Sequence, residues 1–151
     1  MAVRVEAELI DVGAEYAAFA AGDTTVGGIA MFVGTVRSTP GAAVSALTLE
    51  HYPGMTERML ERIEADAHRR WPLTKSLILH RFGRMLPGEP IVLVLTASAH
   101  RAAAFEACQF LMDYLKTEAP FWKLEETEAG AAWVDARESD HAARDRWQRV
   151  G

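Results

Sequence analysis

"IVLVLTASAHRAAAFEACQFLMDYLKTEAPFWKLE", residues 91–125, passes through three regimes in 35 residues. It opens on an unbroken apolar run with β-branched residues, which reads as a strand covered on both faces at the centre of a sheet. "HRAAAFEACQFLMDYLK" then puts Phe105, Cys108, Met112 and Leu115 at spacings of three and four, the pattern of a helix with one buried face. Pro120 disfavours a helical Ala119, so the helix should end near Lys116 or Thr117. "FWKLE" resumes as a strand, and alternation sets Phe121, Lys123 and Glu125 on one face with Trp122 and Leu124 on the other.

The flanking sequence supplies the partners. "VRVEAELI" alternates as a half-buried strand and stops at Asp11 and Gly13, before a short alanine-rich helix, "AEYAAFAA". "GGIAMFVGTV" and "VSALTLEHY" read as strands separated by the loop "RSTPGAA", which leaves Arg37 at a strand end. In "PGMTERMLERIEADAHRRW" the residues Met55, Met59, Ile63 and Ala67 recur every four positions with Leu60 beside them, an amphipathic helix with Pro53 near its start. "SLILHRFG" is a further strand, joined to residues 90–98 by "RMLPGE". Beyond residue 125 come a turn around Gly130, a short strand "AAWVDA" and a polar, arginine-rich tail with a short helix. Strands and helices intermix without repeat or linker, so the expectation is one α+β domain over residues 1–151, with the tail from about 138 to 151 a candidate for flexibility.

Bulk properties set limits. The 151 residues are half hydrophobic and a quarter charged, enough for one core without disulfides. Cys108 is the lone cysteine, which excludes an intrachain bridge and suits a reducing, cytoplasmic setting. The N-terminal residues carry acids throughout and lack the pattern of a signal peptide, and no apolar run is long enough for a membrane helix, so a soluble protein is expected. A net charge of −5 argues against nucleic acid or anionic lipid as a partner. The five histidines have no ligand spacing, and no zinc site or other cofactor is expected.

Against that acidic background the cations are informative. Of sixteen basic residues only Lys75, Lys116 and Lys123 are lysines, and two of these flank Pro120. Arginine clamps phosphate or carboxylate through paired N–H donors, whereas a lysine crowded by other cations can exchange a proton near neutral pH. His100 and Arg101 stand where a buried strand hands over to a helix, a place that favours anions. If the fold converges Arg37, His100, Arg101, Lys116 and Lys123, they form a site for a multiply charged anion. Each also has a plainer reading: Lys116 complementing a helix dipole, Lys123 a solvated edge charge, His100 a helix cap. Cys108 reads as a small core residue, and the His80–Arg81 pair in "HRFGRMLPGE", mid-strand before a turn, reads as structural.

Taken in order, "MFVGTVR", "LEHYPGM", "HRFGRMLPGE", "AHRAAAFEAC", "YLKTEAPFWK" and "WVDARESD" resemble the large, catalytic subunit family of molybdopterin synthase, from about Gly28 to about Asp140. The resemblance implies an α/β hammerhead fold with an additional small antiparallel β subdomain, assembled as a homodimer. It implies a separate, small ubiquitin-like sulfur-carrier subunit as partner, giving a heterotetramer; this chain ends "RWQRVG", unlike such a carrier's flexible double glycine. The implied reaction is transfer of sulfur from the carrier's C-terminal thiocarboxylate to cyclic pyranopterin monophosphate, forming the dithiolene of molybdopterin. Lys116 is then the implied acid/base group and Lys123 its partner near the carrier tail. Arg37, His100 and Arg101 would hold the pterin phosphate and terminal carboxyl group, Phe32 and Met112 would line the pocket, and Arg137 would reach the neighbouring protomer's site. Two positions depart from the family pattern: Leu124 stands where a second basic residue is usual, and Leu49 where an aromatic is common. The rival reading is a non-catalytic dimeric module that binds an anionic ligand or a carrier-like tail.

Overall fold

The computed structural model describes residues 1–41, 43–134 and 138–148. Its centre is a four-stranded sheet in the order β1-β4-β6-β2, formed by β1 (Ala2–Glu6), β4 (Leu73–Arg81), β6 (Pro90–Ser98) and β2 (Gly28–Thr35). β1 runs parallel to β4, and the other pairs are antiparallel. β6 is interior and covered on both sides, as its unbroken apolar run requires. Val92 and Val94 join a core closed by α2 (Met55–Arg70) and α3 (Arg101–Glu118), while Leu93 and Leu95 face Val12 and Phe19 of α1 (Val12–Ala20).

A second, smaller sheet is antiparallel throughout, in the order β5-β3-β7-β8: β5 (Gly83–Met85), β3 (Val44–His51), β7 (Phe121–Thr127) and β8 (Gly130–Val134). Val36, Leu47, Leu49 and Met85 form its own apolar cluster. The result is the expected α+β hammerhead with a small antiparallel β subdomain. β5, inside the stretch read as a connection, adds a short strand. Among the described residues no helix is long and apolar enough to cross a membrane.

The two long helices bury most of the residues expected, with an exposed exception near the start of each, Met55 in α2 and Phe105 in α3. In α2 the buried residues are Thr56, Leu60, Ile63, Glu64 and Ala67, while Met55 is exposed. Leu60, Ile63 and Ala67 are buried as expected, and because a strict four-residue repeat drifts by about 40° per step on a 3.6-residue helix, Met55 is carried off the buried face. Polar contacts complete the burial. Glu64 Oε2 accepts the Ala2 N–H at 3.0 Å and the Ser76 hydroxyl at 2.5 Å, tying α2 to β1 and β4.

In α3 Cys108, Met112 and Leu115 are buried as expected, Phe105 is exposed, and Ala104, Ala107, Phe110 and Leu111 complete the core face. The alanines let the helix lie close to the sheet, and so matter more than their hydrophobicity suggests. α3 continues through Glu118, two residues past Lys116, and ends with Ala119 extended at φ −70° and ψ 131°, as the following proline demands. α4 (Glu138–Gln148) packs back on α3. Trp147 donates its indole N–H to Asp113 at 2.6 Å and meets Phe110 edge-on at 5.7 Å between ring centroids.

Candidate active site between the two sheets

A cleft of about 620 Å³ opens where the two sheets meet. The end of β2 supplies Phe32 and Gly34, and the residues after it supply Arg37. The end of α3 supplies Leu115 and Lys116, and β7 supplies Phe121, Lys123 and Glu125 from one face. Alternation works here as expected: Trp122 leaves by the opposite face and packs on Tyr52 at 4.6 Å between ring centroids.

Each functional side chain is set by its backbone. Buried Val36 exchanges hydrogen bonds with the β5–β6 turn, its N–H to Glu89 O at 3.0 Å and its carbonyl from Gly88 N–H at 2.8 Å, which fixes the base of Arg37. Lys116 sits in the last turn of α3 with its side chain exposed. Pro120 ends that helix, and β7 pairs with β3 so that Lys123 lies opposite Leu49 and Phe121 opposite His51. The short link between α3 and β7 therefore returns the second lysine to the same cleft. Gly34 leaves room in the wall: a Cβ there would stand 2.8 Å from Val92 Cγ1 and 3.3 Å from the Phe32 ring.

Among the described residues three cations face the cleft against one carboxylate, Glu125, in a protein of net charge −5. Arg37 and Lys116 make no ion pair or hydrogen bond with any described residue. Exposed cations without a partner among the described residues, at the mouth of a cleft, suit an anionic ligand.

The remaining expected residues lie elsewhere in the protomer. His100 and Arg101 are exposed at the start of α3, about 22 Å from Lys116 at 1.5 Å per residue. They sit beside the first residues of β2, where a Cβ on Gly28 would be 3.5 Å from Arg101 Cα and one on Gly27 only 2.0 Å from the Ala99 carbonyl oxygen. His100 takes the N-cap position, with no hydrogen bond from its side chain to the helix. Met112 lines a neighbouring hollow of about 200 Å³ with Met31, Phe105 and Gln109, and Phe32 borders both spaces. Arg137 lies outside the described residues.

The cleft also contains a residue that the sequence reading set aside as structural. His80, at the end of β4, is 5% exposed and lines the cleft. Its ring stacks on Phe121 at 3.8 Å between centroids and 17° between planes. Its Nδ1 lies 2.8 Å from the Arg81 carbonyl oxygen, which can only accept, so the proton is on Nδ1 and Nε2 carries the lone pair. Burial pushes its pKa down to about 4, against the raising effect of that hydrogen bond, and the charges of Lys123, Lys116 and His51 push the same way as burial. The only signal in the sequence was an ionisable residue closing an apolar strand. Cys108 remains a core residue: burial raises its thiol pKa to about 11, which leaves it un-ionised and inert.

An α+β fold with a cationic cleft between a large and a small sheet, bordered by a lysine pair across a proline turn, defines a class of protein built to handle an anionic substrate. The MoaE protein family model matches residues 5–118. The chain is 54% identical to the molybdopterin synthase catalytic subunit of Pseudomonas aeruginosa over 149 residues, 98% of this chain and 99% of that one. The molybdopterin biosynthesis MoaE protein of Burkholderia ambifaria superposes with a TM-score of 0.84 at 53% identity, covering 98% of this chain and 99% of that one. Molybdopterin synthase from Staphylococcus aureus superposes with a TM-score of 0.80 at 30% identity, covering 87% and 95%. The chain belongs to the MoaE family.

Proposed function

We propose that the protein is the sulfur-transferring subunit of a molybdopterin synthase and that the cleft between the sheets is its active site. The observation that carries the reading is the convergence of Arg37, Lys116 and Lys123 on one cleft in a chain of this family. The partner is a small sulfur-carrier protein whose extended C-terminal tail enters the cleft and is held through its backbone and terminal charge. The substrate is cyclic pyranopterin monophosphate. Arg37, permanently charged and forked, suits the phosphate or terminal carboxyl group.

Each delivery forms a carbon–sulfur bond on the pterin with departure of an oxygen from that carbon, and breaks the carbon–sulfur bond at the carrier's terminal carbonyl, where water supplies the oxygen that leaves a carboxylate, so protons must move at the site. Lys116 is the acid/base group and Lys123 its partner beside the tail; an ammonium can give a proton and take it back, which a guanidinium cannot do near neutral pH. Holding the two reactants side by side makes the attack effectively unimolecular. His100 and Arg101 stand at the wrong end of α3 to meet the same ligand as Lys116 within one protomer. Their role as anion ligands therefore requires the second protomer of a homodimer, which would also bring Arg137 to its neighbour. With two carriers the assembly is a heterotetramer, and its place is the cytoplasm.

The test is reconstitution from purified thiocarboxylated carrier and pterin precursor. Lys116→Ala should remain folded and bind carrier while making little molybdopterin, and Lys116→Arg should fail as well. Near-normal turnover by Lys116→Ala would reject the assignment. Full activity in Lys116→Arg would reduce the lysine to an electrostatic anchor.

A further inference from the structure

The cleft holds one ionisable group that the proposed chemistry has not used. His80 is enclosed, neutral and fixed in a single tautomer, with Nδ1–H committed to the Arg81 carbonyl. Among the described residues, Arg81 Nη1 is the one fully enclosed side-chain nitrogen or oxygen without a hydrogen-bond partner. Nε2 of His80 has no hydrogen-bond partner among the described residues, and the ring lines the cleft. The ring face is equally committed. Phe121, the first residue after Pro120, stacks on it, and His51 lies beyond Phe121 at 6.2 Å between centroids. The imidazole thus supports the turn that separates the two lysines and lines the cleft that both of them border.

The groups around this ring are mainly basic, with Glu125 the one carboxylate lining the same cleft among the described residues. Lys116 comes from the end of α3, Lys123 from β7, His51 from β3 and Arg81 from its own strand. Arg81 is turned away, donating Nε–H and Nη2–H to the Ala7 carbonyl and facing Glu89 at 3.8 Å. Lys116 makes no ion pair or hydrogen bond with any described residue, yet its charge already bears on the imidazole. An ammonium has three donors and a flexible four-carbon stem, and a neutral imidazole nitrogen is the acceptor that can orient it without cancelling its charge.

We infer that His80 is a positioning residue of this site, resting on the proposed function: when the Lys116 side chain turns into the cleft its ammonium donates to His80 Nε2 and is aimed by it, while the ring face of His80 holds the Phe121 turn. A carboxylate in its place would neutralise the lysine and repel an anionic tail. A protonated histidine would repel the lysine. Burial against Phe121 keeps the ring in the form that does neither.

The experiment pairs His80→Phe, which keeps a ring to stack on Phe121 but has no acceptor, with His80→Gln, which keeps an acceptor oxygen but loses the ring. Two readouts are taken on the full-length protein: the side-chain titration of Lys116 by NMR, and steady-state kinetics with thiocarboxylated carrier. Losing an acceptor from the charged form lowers a lysine's pKa, so Lys116 should titrate lower by about one pH unit in His80→Phe and less in His80→Gln. His80→Phe should lose about tenfold or more in kcat, the scale of one hydrogen bond to a charged group, with KM for the carrier nearly unchanged. His80→Gln should recover part of that loss.

An unmoved Lys116 titration in His80→Phe overturns the inference, whatever happens to turnover. So does equal loss of kcat in both variants with no shift of the lysine, because only a structural role of the ring would then remain. The activity assignment fails separately, by normal turnover in Lys116→Ala. The NMR titration still decides the His80 contact in that case.

Discussion

Enclosing a neutral imidazole among cations should leave a mark on stability that can be isolated by subtraction. His80 titrates at about 4 in the fold, against 6.5 for the ordinary side chain. Between those values the unfolded chain binds a proton that the folded chain refuses. Stability from this group is therefore complete above pH 6.5 and is lost as pH falls toward 4, with no further loss below the folded value. A gap of that size at about 1.4 kcal/mol per pH unit corresponds to roughly 3 kcal/mol, a large share of a typical 5–15 kcal/mol. Other buried groups also contribute. Burial raises Glu64 and lowers His68, so their effects on acid stability oppose each other.

Both of those groups persist in His80→Phe, so the comparison of variants removes them. Urea unfolding followed by tryptophan fluorescence, at pH 7 and pH 4 and at one fixed protein concentration, gives four free energies. Wild type should lose about 3 kcal/mol more than His80→Phe between the two pH values, because phenylalanine has no proton to bind. Any fixed cost of the substitution cancels in that difference. A difference below about 1 kcal/mol would mean that His80 protonates in place or that the ring leaves its enclosure, and would refute the reasoning.

Two further predictions concern the frame of the site. Gly34→Ala should destabilise the protein by about 1–3 kcal/mol in chemical denaturation and weaken carrier binding, since its methyl would meet Val92 at 2.8 Å inside the cleft wall. Asp113→Ala should undock α4 without unfolding the sheet, because Asp113 accepts from Gln109 Nε2, Arg146 Nη2 and Trp147 Nε1. Amide exchange in α4 should rise by about tenfold or more while that of β6 stays protected, on the scale of one or two lost hydrogen bonds.

Where neighbouring residues decide the structure, the sequence was sufficient. The apolar run from Ile91 to Leu95 could only be a strand covered on both faces, and β6 is that strand. Pro120 had to end α3 within a few residues of Lys116, and alternation along β7 had to send Lys123 away from Trp122. These follow from sterics and side-chain direction within one element. The same local reasoning found most of the buried residues of α2 and α3 and missed at Met55 and Phe105, where what covers a helix outweighs the spacing of its largest apolar residues.

Which ends meet was decided by the tertiary structure alone. Nothing local to "SLILHRFG" says that His80 will stack on a residue 41 positions later, or that β3 will pair with β7 and carry Lys123 to the cleft. Nor does the sequence reveal that the length of α3 separates Arg101 from Lys116, so that two groups of candidate cations face different regions of one protomer. Strand order is a property of the whole chain, fixed by which apolar faces can be covered at once, and no short stretch contains that information.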